Sequence, residues 1–240
     1  MDNQHIHHRQ QVNQAYPLPQ EGIFYTPNQK ENPMRKITTE PTYQGHAIMT
    51  DKERNLACDT NILDAIKDQF EYATQHNSKT FFMRYDLRFP TGEQEHTDNK
   101  LVRDFQANFI KHLKRDGLNP QYVLVREQSR EKHQHYHGLL LLNGQKIQHV
   151  HHPIEVAEKL WRSALDLPEG NGLVDACMKT RDGKSQVNGV MLRKDDPDYE
   201  TQKDECFRRA SYLAKVNQKE NTPKGQRELF SSRLPKMRDK

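Results

Sequence analysis

In the run His133-Gln134-His135-Tyr136-His137-Gly138-Leu139-Leu140-Leu141-Leu142, histidines at every second position lead directly into a block of leucines. Successive side chains of an extended strand point to opposite faces, so two histidines at i and i+2 share a face and can close on one divalent ion. The spacing alone is a weak signal, because most HxH pairs are surface histidines. The chain supplies its own comparisons. His5-Ile6-His7 lies in a polar N-terminal stretch and His149-Val150-His151 in a segment expected to be a loop. Neither leads into a buried strand that would fix the rings. His135 and His137 do, because Leu139 to Leu142 anchor them, and His133 is left at the frayed end as an outer residue. For Mg²⁺ or Mn²⁺ the third ligand should be an oxygen donor on a neighbouring strand. Glu127, brought back by a hairpin, is the first candidate, and Asp86 is the alternative.

A second group with chemical potential lies later in the chain. In Cys206-Phe207-Arg208-Arg209-Ala210-Ser211-Tyr212-Leu213-Ala214-Lys215 the apolar residues form one stripe at helical spacing. At ~100° per residue Tyr212 falls almost opposite that stripe. Its helical neighbours would be Arg208 and Arg209 behind, with Lys215 and Lys219 ahead. An amphipathic tyrosine on a wet face is the bland reading. The alternative is a nucleophile, since cations around a phenol favour its attacking anion and also hold a phosphodiester's charge.

The elements that must position these groups can be read from periodicity. Phe81, Met83, Tyr85, Leu87 and Phe89 alternate with Phe82, Arg84, Asp86 and Arg88, a strand with one apolar and one mainly charged face, ended by Pro90. Before it, Tyr43 to Met49 suits a short strand, and Asp59 or Thr60 can cap a helix reaching about His76. After it, Asp98 is placed to cap a helix carrying Leu101, Phe105, Phe109 and Leu113, with Gly117 as its stop. Strands at Tyr122 to Glu127 and about Gln134 to Leu142 flank a polar hairpin loop, Gln128 to Lys132. Pro153 is expected to start a helix bearing Ala157 and Trp161. Short edge strands are expected at Leu173 to Met178 and Val190 to Leu192, and a last helix over Gln202 to Asn217. The order gives an α+β domain with an antiparallel central sheet flanked by helices. The expected organisation is a largely disordered polar arm at 1–42, a domain at 43–224 and a basic tail at 225–240.

Bulk properties narrow the class. At 33% hydrophobic and 29% charged residues, with a mean hydropathy of −1.09, the chain suits a compact domain with polar extensions. No apolar run approaches the ~20 residues of a membrane span, and no h-region marks a signal peptide. Cys58, Cys177 and Cys206 are widely spaced and read as reduced thiols of a cytoplasmic protein. The net charge of +4 permits a polyanionic partner without demanding one. From Arg208 to Lys240, however, ten Lys and Arg stand against three acids. Asp182-Gly183-Lys184-Ser185 resembles the end of a phosphate-binding loop, but Met178 stands where that motif needs glycine, so no helicase motor is expected.

Taken together, Phe82 to Pro90, Val125-Arg126-Glu127-Gln128, His135-Tyr136-His137-Gly138-Leu139-Leu140 and Tyr212-Leu213-Ala214-Lys215 resemble the HUH (His-hydrophobic-His) endonucleases, which include rolling-circle replication initiators and relaxases. Within them the likeness is to the inovirus-type initiators, related to filamentous-phage gene II protein and the YagK/YfjJ C-terminal domain, over about Thr80 to Lys224. The resemblance implies a metal-dependent DNA endonuclease and strand transferase. His135, His137 and an acid would hold Mg²⁺ or Mn²⁺, Tyr212 would form a covalent 5′-phosphotyrosine, and Lys215 would assist it. Arg84, Arg88, Arg208, Arg209 and Lys219 would contact DNA. The implied partners are single-stranded or supercoiled origin DNA, with host helicase and polymerase, in a bacterial cytoplasm. Tyr136 is bulkier than the family's usual aliphatic middle residue. No tyrosine lies three or four residues from Tyr212, which implies a one-tyrosine cycle. Two other readings stay open: a non-catalytic prophage-encoded DNA-binding regulator of the same fold, and a nuclease that uses water instead of tyrosine.

Overall fold

The computed structural model describes residues 35–90, 98–128, 134–168, 173–180, 182–217, 219 and 222–235. The chain runs through short strands β1 (Ile37–Thr38), β2 (Thr42–Tyr43), β3 (His46–Ala47) and β4 (Cys58–Asp59) into helix α1 (Thr60–His76). Then follow β5 (Lys79–Arg88), α2 (Lys100–Arg115), β6 (Gln121–Glu127), β7 (His135–Asn143) and α3 (His151–Ala164). The last elements are β8 (Val174–Asp175), β9 (Val190–Arg193), α4 (Tyr199–Ala210), a 3₁₀ turn at Ser211–Ala214 and β10 (Leu229–Ser231). The main sheet is antiparallel, in the order β10-β6-β7-β5, with β8 and β9 pairing different stretches of the outer edge of β5. This is the expected α+β class.

Strand β7 lies between β6 and β5 and is buried on both faces, which is why its leucines run consecutively instead of alternating with polar residues. Leu140 and Leu142 join Phe81, Met83 and Tyr85 against Phe105 and Phe109 of α2 and Trp161 of α3. Leu139 and Leu141 join Phe82, Val123 and Val125 against α1 and α4 on the other side. The face of β5 expected to be mainly charged is therefore covered by α1 and α4 around Phe82. Ionisable residues take over only toward one end. On that face Phe82 gives way to Arg84 and Asp86 along β5, Leu139 to His137 and His135 along β7, and Val125 to Glu127 along β6. Three neighbouring strands change from apolar to ionisable toward the same end, each one cross-strand row after its neighbour from β5 through β7 to β6.

The local signals mostly act where the sequence puts them. Asp59 caps α1, its carboxylate accepting from the backbone N–H groups of Asn61 and Ile62 at 2.9 and 3.4 Å. Asp98 accepts from the Lys100 N–H at 3.0 Å, one residue outside the Asn99 cap position of α2. Helix α3 begins at His151, two residues ahead of Pro153, whose missing N–H is harmless in a first turn.

Three expectations need correction. Ile37 and Thr38 already pair with Cys58 and Asp59, so order begins before residue 42; the rest of the expected arm, to residue 34, lies outside the described residues, as does His133. Beyond residue 224, Leu229 to Ser231 add strand β10 to the edge of β6, so the described part of the basic tail belongs to the sheet. Helix α4 stops at Ala210 instead of reaching Asn217. The buried Ser211 hydroxyl donates to the Arg208 carbonyl at 2.6 Å and accepts from the Met49 N–H at 2.8 Å, which tightens the chain into the 3₁₀ turn. Between β8 and β9 the outer edge of β5 is paired by a side chain. Asn188 accepts from the Arg84 N–H at 2.9 Å and donates to the Arg84 carbonyl at 2.8 Å.

Gly138 permits the closest approach in the sheet. A Cβ there would lie 2.2 Å from Cε1 of the fully buried Tyr85 ring. Gly138→Ala should lower unfolding stability by about 1–3 kcal/mol through overpacking, measured by urea denaturation. An unchanged midpoint would show that the Tyr85 ring can move away freely.

Candidate metal centre

The β6–β7 hairpin places Glu127 directly opposite His135, and the β5–β7 pairing places Asp86 directly opposite His137. Cross-strand partners on one face stand about 4.5–5.5 Å apart at Cβ, so all four side chains converge. His135 Nε2 and His137 Nε2 are 3.1 Å apart, and Glu127 Oε2 lies 3.3 and 3.1 Å from them. These three atoms form a group that can hold a metal ion. Ligands about 2.0–2.1 Å from one ion at right angles are separated by about 3 Å, so the donor set fits a single divalent cation. Two imidazoles and one carboxylate leave further coordination positions for water or substrate.

The two acids have different tasks. Asp86 Oδ1 accepts from His137 Nδ1 at 2.7 Å. That fixes the ring orientation and leaves Nε2 facing the other ligands, as expected for a carboxylate that orients a metal-bound histidine. The Glu127 side chain is one methylene longer and reaches the gap between the rings. Its own orientation is set from behind, where Lys219 Nζ donates to Oε1 at 3.0 Å while Oε2 faces the histidines.

Electrostatics follow from this packing. Burial opposes the charge on Glu127, but hydrogen bonds from His135 and His137 and the positive charge of Lys219 hold it well below the usual carboxylate range. Burial also opposes charge on Asp86, and its bond to His137 and the neighbouring Arg84 hold it low. For His137, burial disfavours the cation, yet the bonds to Asp86 and Glu127 outweigh burial and raise its pKa above the ordinary 6.5.

Tyr212 stands beside this group. Its ring meets that of His137 edge-on, with centroids 5.5 Å apart. Lys215 Nζ donates to the Tyr212 hydroxyl at 2.5 Å and lies 3.4 Å from Glu127 Oε2. The Arg84 guanidinium lies over the Tyr212 ring, 4.8 Å from its centroid. Of the cations expected around Tyr212, Lys215 is in place, and Arg84 of β5 joins it from outside the expected set. Arg208 points away and forms a bidentate pair with Glu205 at 2.7 and 2.8 Å. Arg88 pairs with Asp175 at 2.9 Å on the exposed edge. Lys219 is the clearest departure. Because the helix ends at Ala210, the chain turns inward and Lys219 becomes 1% exposed, bonded to Glu127 rather than available to DNA. Its role in orienting the carboxylate had no signal in the sequence, since the contact spans 92 residues. Cys58, Cys177 and Cys206 are free and buried.

The model of the YagK/YfjJ C-terminal domain matches residues 38–230, from β1 into β10 and so across the whole main sheet but the last residue of β10. The chain belongs to that family. The matched range contains every residue of the metal centre together with Tyr212 and Lys215. It also extends past the end expected at 224, in agreement with the pairing of β10 on β6. No curated protein and no solved structure matches the chain.

Two outcomes test the division of labour. Glu127→Gln should abolish Mn²⁺ binding in isothermal titration, whereas Asp86→Asn should weaken it about 10–100-fold; the reverse order would make Asp86 the ligand. The second concerns pH. Without metal, the raised pKa of His137 means that its contribution to stability is complete below about 6.5 and is lost as pH rises through the folded-state value. The depressed Glu127 contributes above about 4.5 and loses its effect only in acid. The melting-temperature gap between the metal-free protein and His137→Gln should therefore shrink from pH 6 to pH 8.5, while stabilisation by Mn²⁺ grows as the histidines become neutral. A gap that widens with pH would contradict the assigned partners of His137.

Proposed function

We propose that the protein nicks and rejoins single-stranded DNA to initiate rolling-circle replication, as an HUH endonuclease of the inovirus type. The observation that carries this reading is the position of Lys215, whose Nζ sits 2.5 Å from the Tyr212 hydroxyl and 3.4 Å from the Glu127 oxygen that faces both histidines. A candidate nucleophile and a candidate metal centre are thus one ammonium group apart. A water-using nuclease would need the three-ligand group but would have no use for a phenol held in this place.

His135, His137 and Glu127 would hold Mg²⁺ or Mn²⁺, which when bound supplies Lewis-acid polarisation of a phosphodiester. Tyr212 would attack phosphorus through its phenol oxygen. A P–O bond to Tyr212 forms, the P–O3′ bond breaks, the phenol proton passes to solvent and the departing 3′ oxygen takes up a proton. Lys215 holds the phenol oxygen in place and offsets the charge on it and on the phosphate. The product is a 5′-phosphotyrosine and a free 3′-hydroxyl that a host polymerase can extend. Attack by a 3′-hydroxyl on that phosphotyrosine reverses the step and rejoins the strand, because the diester retains the bond energy. Strand opening is left to supercoiling or a host helicase, and the reaction belongs in a bacterial cytoplasm. Among the described residues no helix is long and apolar enough to cross a membrane.

Incubation with Mn²⁺ and end-labelled single strands tiling the replicon's origin should give a covalent protein–DNA band on a denaturing gel. Tyr212→Phe, the pair His135→Ala with His137→Ala, or EDTA should remove it, and Lys215→Ala should slow it by roughly 100-fold or more. A band that persists in Tyr212→Phe would sink the proposal. One observation favours a second reading, a DNA-binding regulator without turnover: Glu127 is already paired by Lys215 and Lys219, so the cluster is satisfied without an ion. DNA affinity indifferent to EDTA, with no adduct on any origin strand, would support that reading.

A further inference from the structure

Two guanidinium groups near Tyr212 lack the acceptors that buried arginines require. Arg84 is 8% exposed, and its Nε is buried with no hydrogen-bond partner. Its nearest carboxylate, Asp86, is 4.0 Å away and already engaged by His137. Arg209 on α4 is partly buried, and one terminal nitrogen is likewise enclosed without a partner. The acid on its own helix, Glu205, has both oxygens taken by Arg208. Among the described residues no hydrogen bond or ion pair engages the Arg209 side chain. Burial, together with the positive charge of Arg84, pulls the Arg209 guanidinium below its ordinary value, so the two like charges sense each other.

Such an arrangement is unfavourable as it stands and becomes favourable when an oxyanion enters. Guanidinium forks match phosphate oxygens in geometry, and enclosed N–H donors bind them more strongly than exposed ones. We propose that Arg84 and Arg209 form a subsite for one phosphodiester of single-stranded DNA, adjoining the phosphate that Tyr212 attacks. The DNA identity of the ligand rests on the nicking reading; the anion site does not. Arg84 covers the face of the Tyr212 ring while Lys215 holds the hydroxyl, so the subsite is separate from the reacting oxygen. The backbone of Arg84 is fixed at both its N–H and its carbonyl by Asn188, which gives the subsite a rigid base. A phosphate bound there would set which neighbouring bond is presented to Tyr212.

The full chain is melted in chloride and in inorganic phosphate at equal ionic strength, and separately titrated with a fluorescent thymidine 15-mer in EDTA. Phosphate should raise the melting temperature of the wild type but not of Arg84→Gln or Arg209→Gln. Each variant should bind the 15-mer about tenfold more weakly, and its slope of log affinity against log salt should be shallower by about 0.7, the loss of one single-strand phosphate contact. The double variant should be no more than about twofold weaker than either single one, because both arginines hold the same phosphate. Arg208→Gln should remain within about twofold of wild type. Equal stabilisation of every variant by phosphate, or additive losses with an unchanged slope, would overturn the subsite. Phosphate protection with unaltered 15-mer affinity would overturn its assignment to DNA. Should Arg84→Gln fail to fold, Arg209→Gln on the more exposed helix carries the test. Loss of nicking with phosphate protection intact would count against the nicking reading alone.

Discussion

An ionised carboxylate taken out of water costs several kcal/mol unless opposite charges and hydrogen bonds are built around it. Glu127 is fully buried, and much of the molecule's end can be understood as the answer to that requirement. Lys219 holds one oxygen, while both histidines and Lys215 surround the other. Each partner comes from a different circumstance of the chain: a hairpin neighbour, the 3₁₀ turn after α4 and the segment beyond it. If Glu127 were removed, four groups would lose their common counter-charge. The candidate metal centre is therefore also a structural node, held together by its own charges.

The contrast between Glu127 and Asp86 shows how far alternation carries. Period-2 patterning put Arg84, Asp86, His135 and His137 on definite faces of their strands, and the leucines after His137 distinguished this pair from the chain's other HxH pairs. What alternation cannot resolve is which of two acids, flanking β7 from opposite sides, faces Nε2. That depends on one methylene of reach and on Lys219 pulling Glu127 from behind. Tyr212 illustrates the same boundary. Its polar position was visible from helical spacing, but a helix continued to Asn217 would have surrounded it with Arg208 and Lys219. The bond from Ser211 to Arg208 ended the helix early, and the cations came from β5 and Lys215. Strand β10 was hidden because Leu229 to Ser231 is too short to show a period within a basic stretch.

The sheet also explains why the group can be accurate without being large. Three adjacent, hydrogen-bonded strands supply the two acids and the two histidines, so the relative positions of these side chains are fixed by ladder register. A one-residue slip of β6 on β7 would send Glu127 to the opposite face, into the core beside α2. That slip is costly, since Leu124 on one face of β6 and Val123 and Val125 on the other would have to exchange cores.

Asn188 has a consequence of another kind. By offering an amide oxygen and an amide N–H to the backbone of Arg84, its side chain stands in for a peptide group of a missing strand. The ladder on β5 is thereby closed between β8 and β9 by a single side chain of the intervening excursion. Residues within that excursion can be lengthened, shortened or exchanged while the two ends remain pinned by short strands and one asparagine. It is a natural splice point, where the rim next to Arg84 can change without disturbing the strands that carry Glu127, His135 and His137.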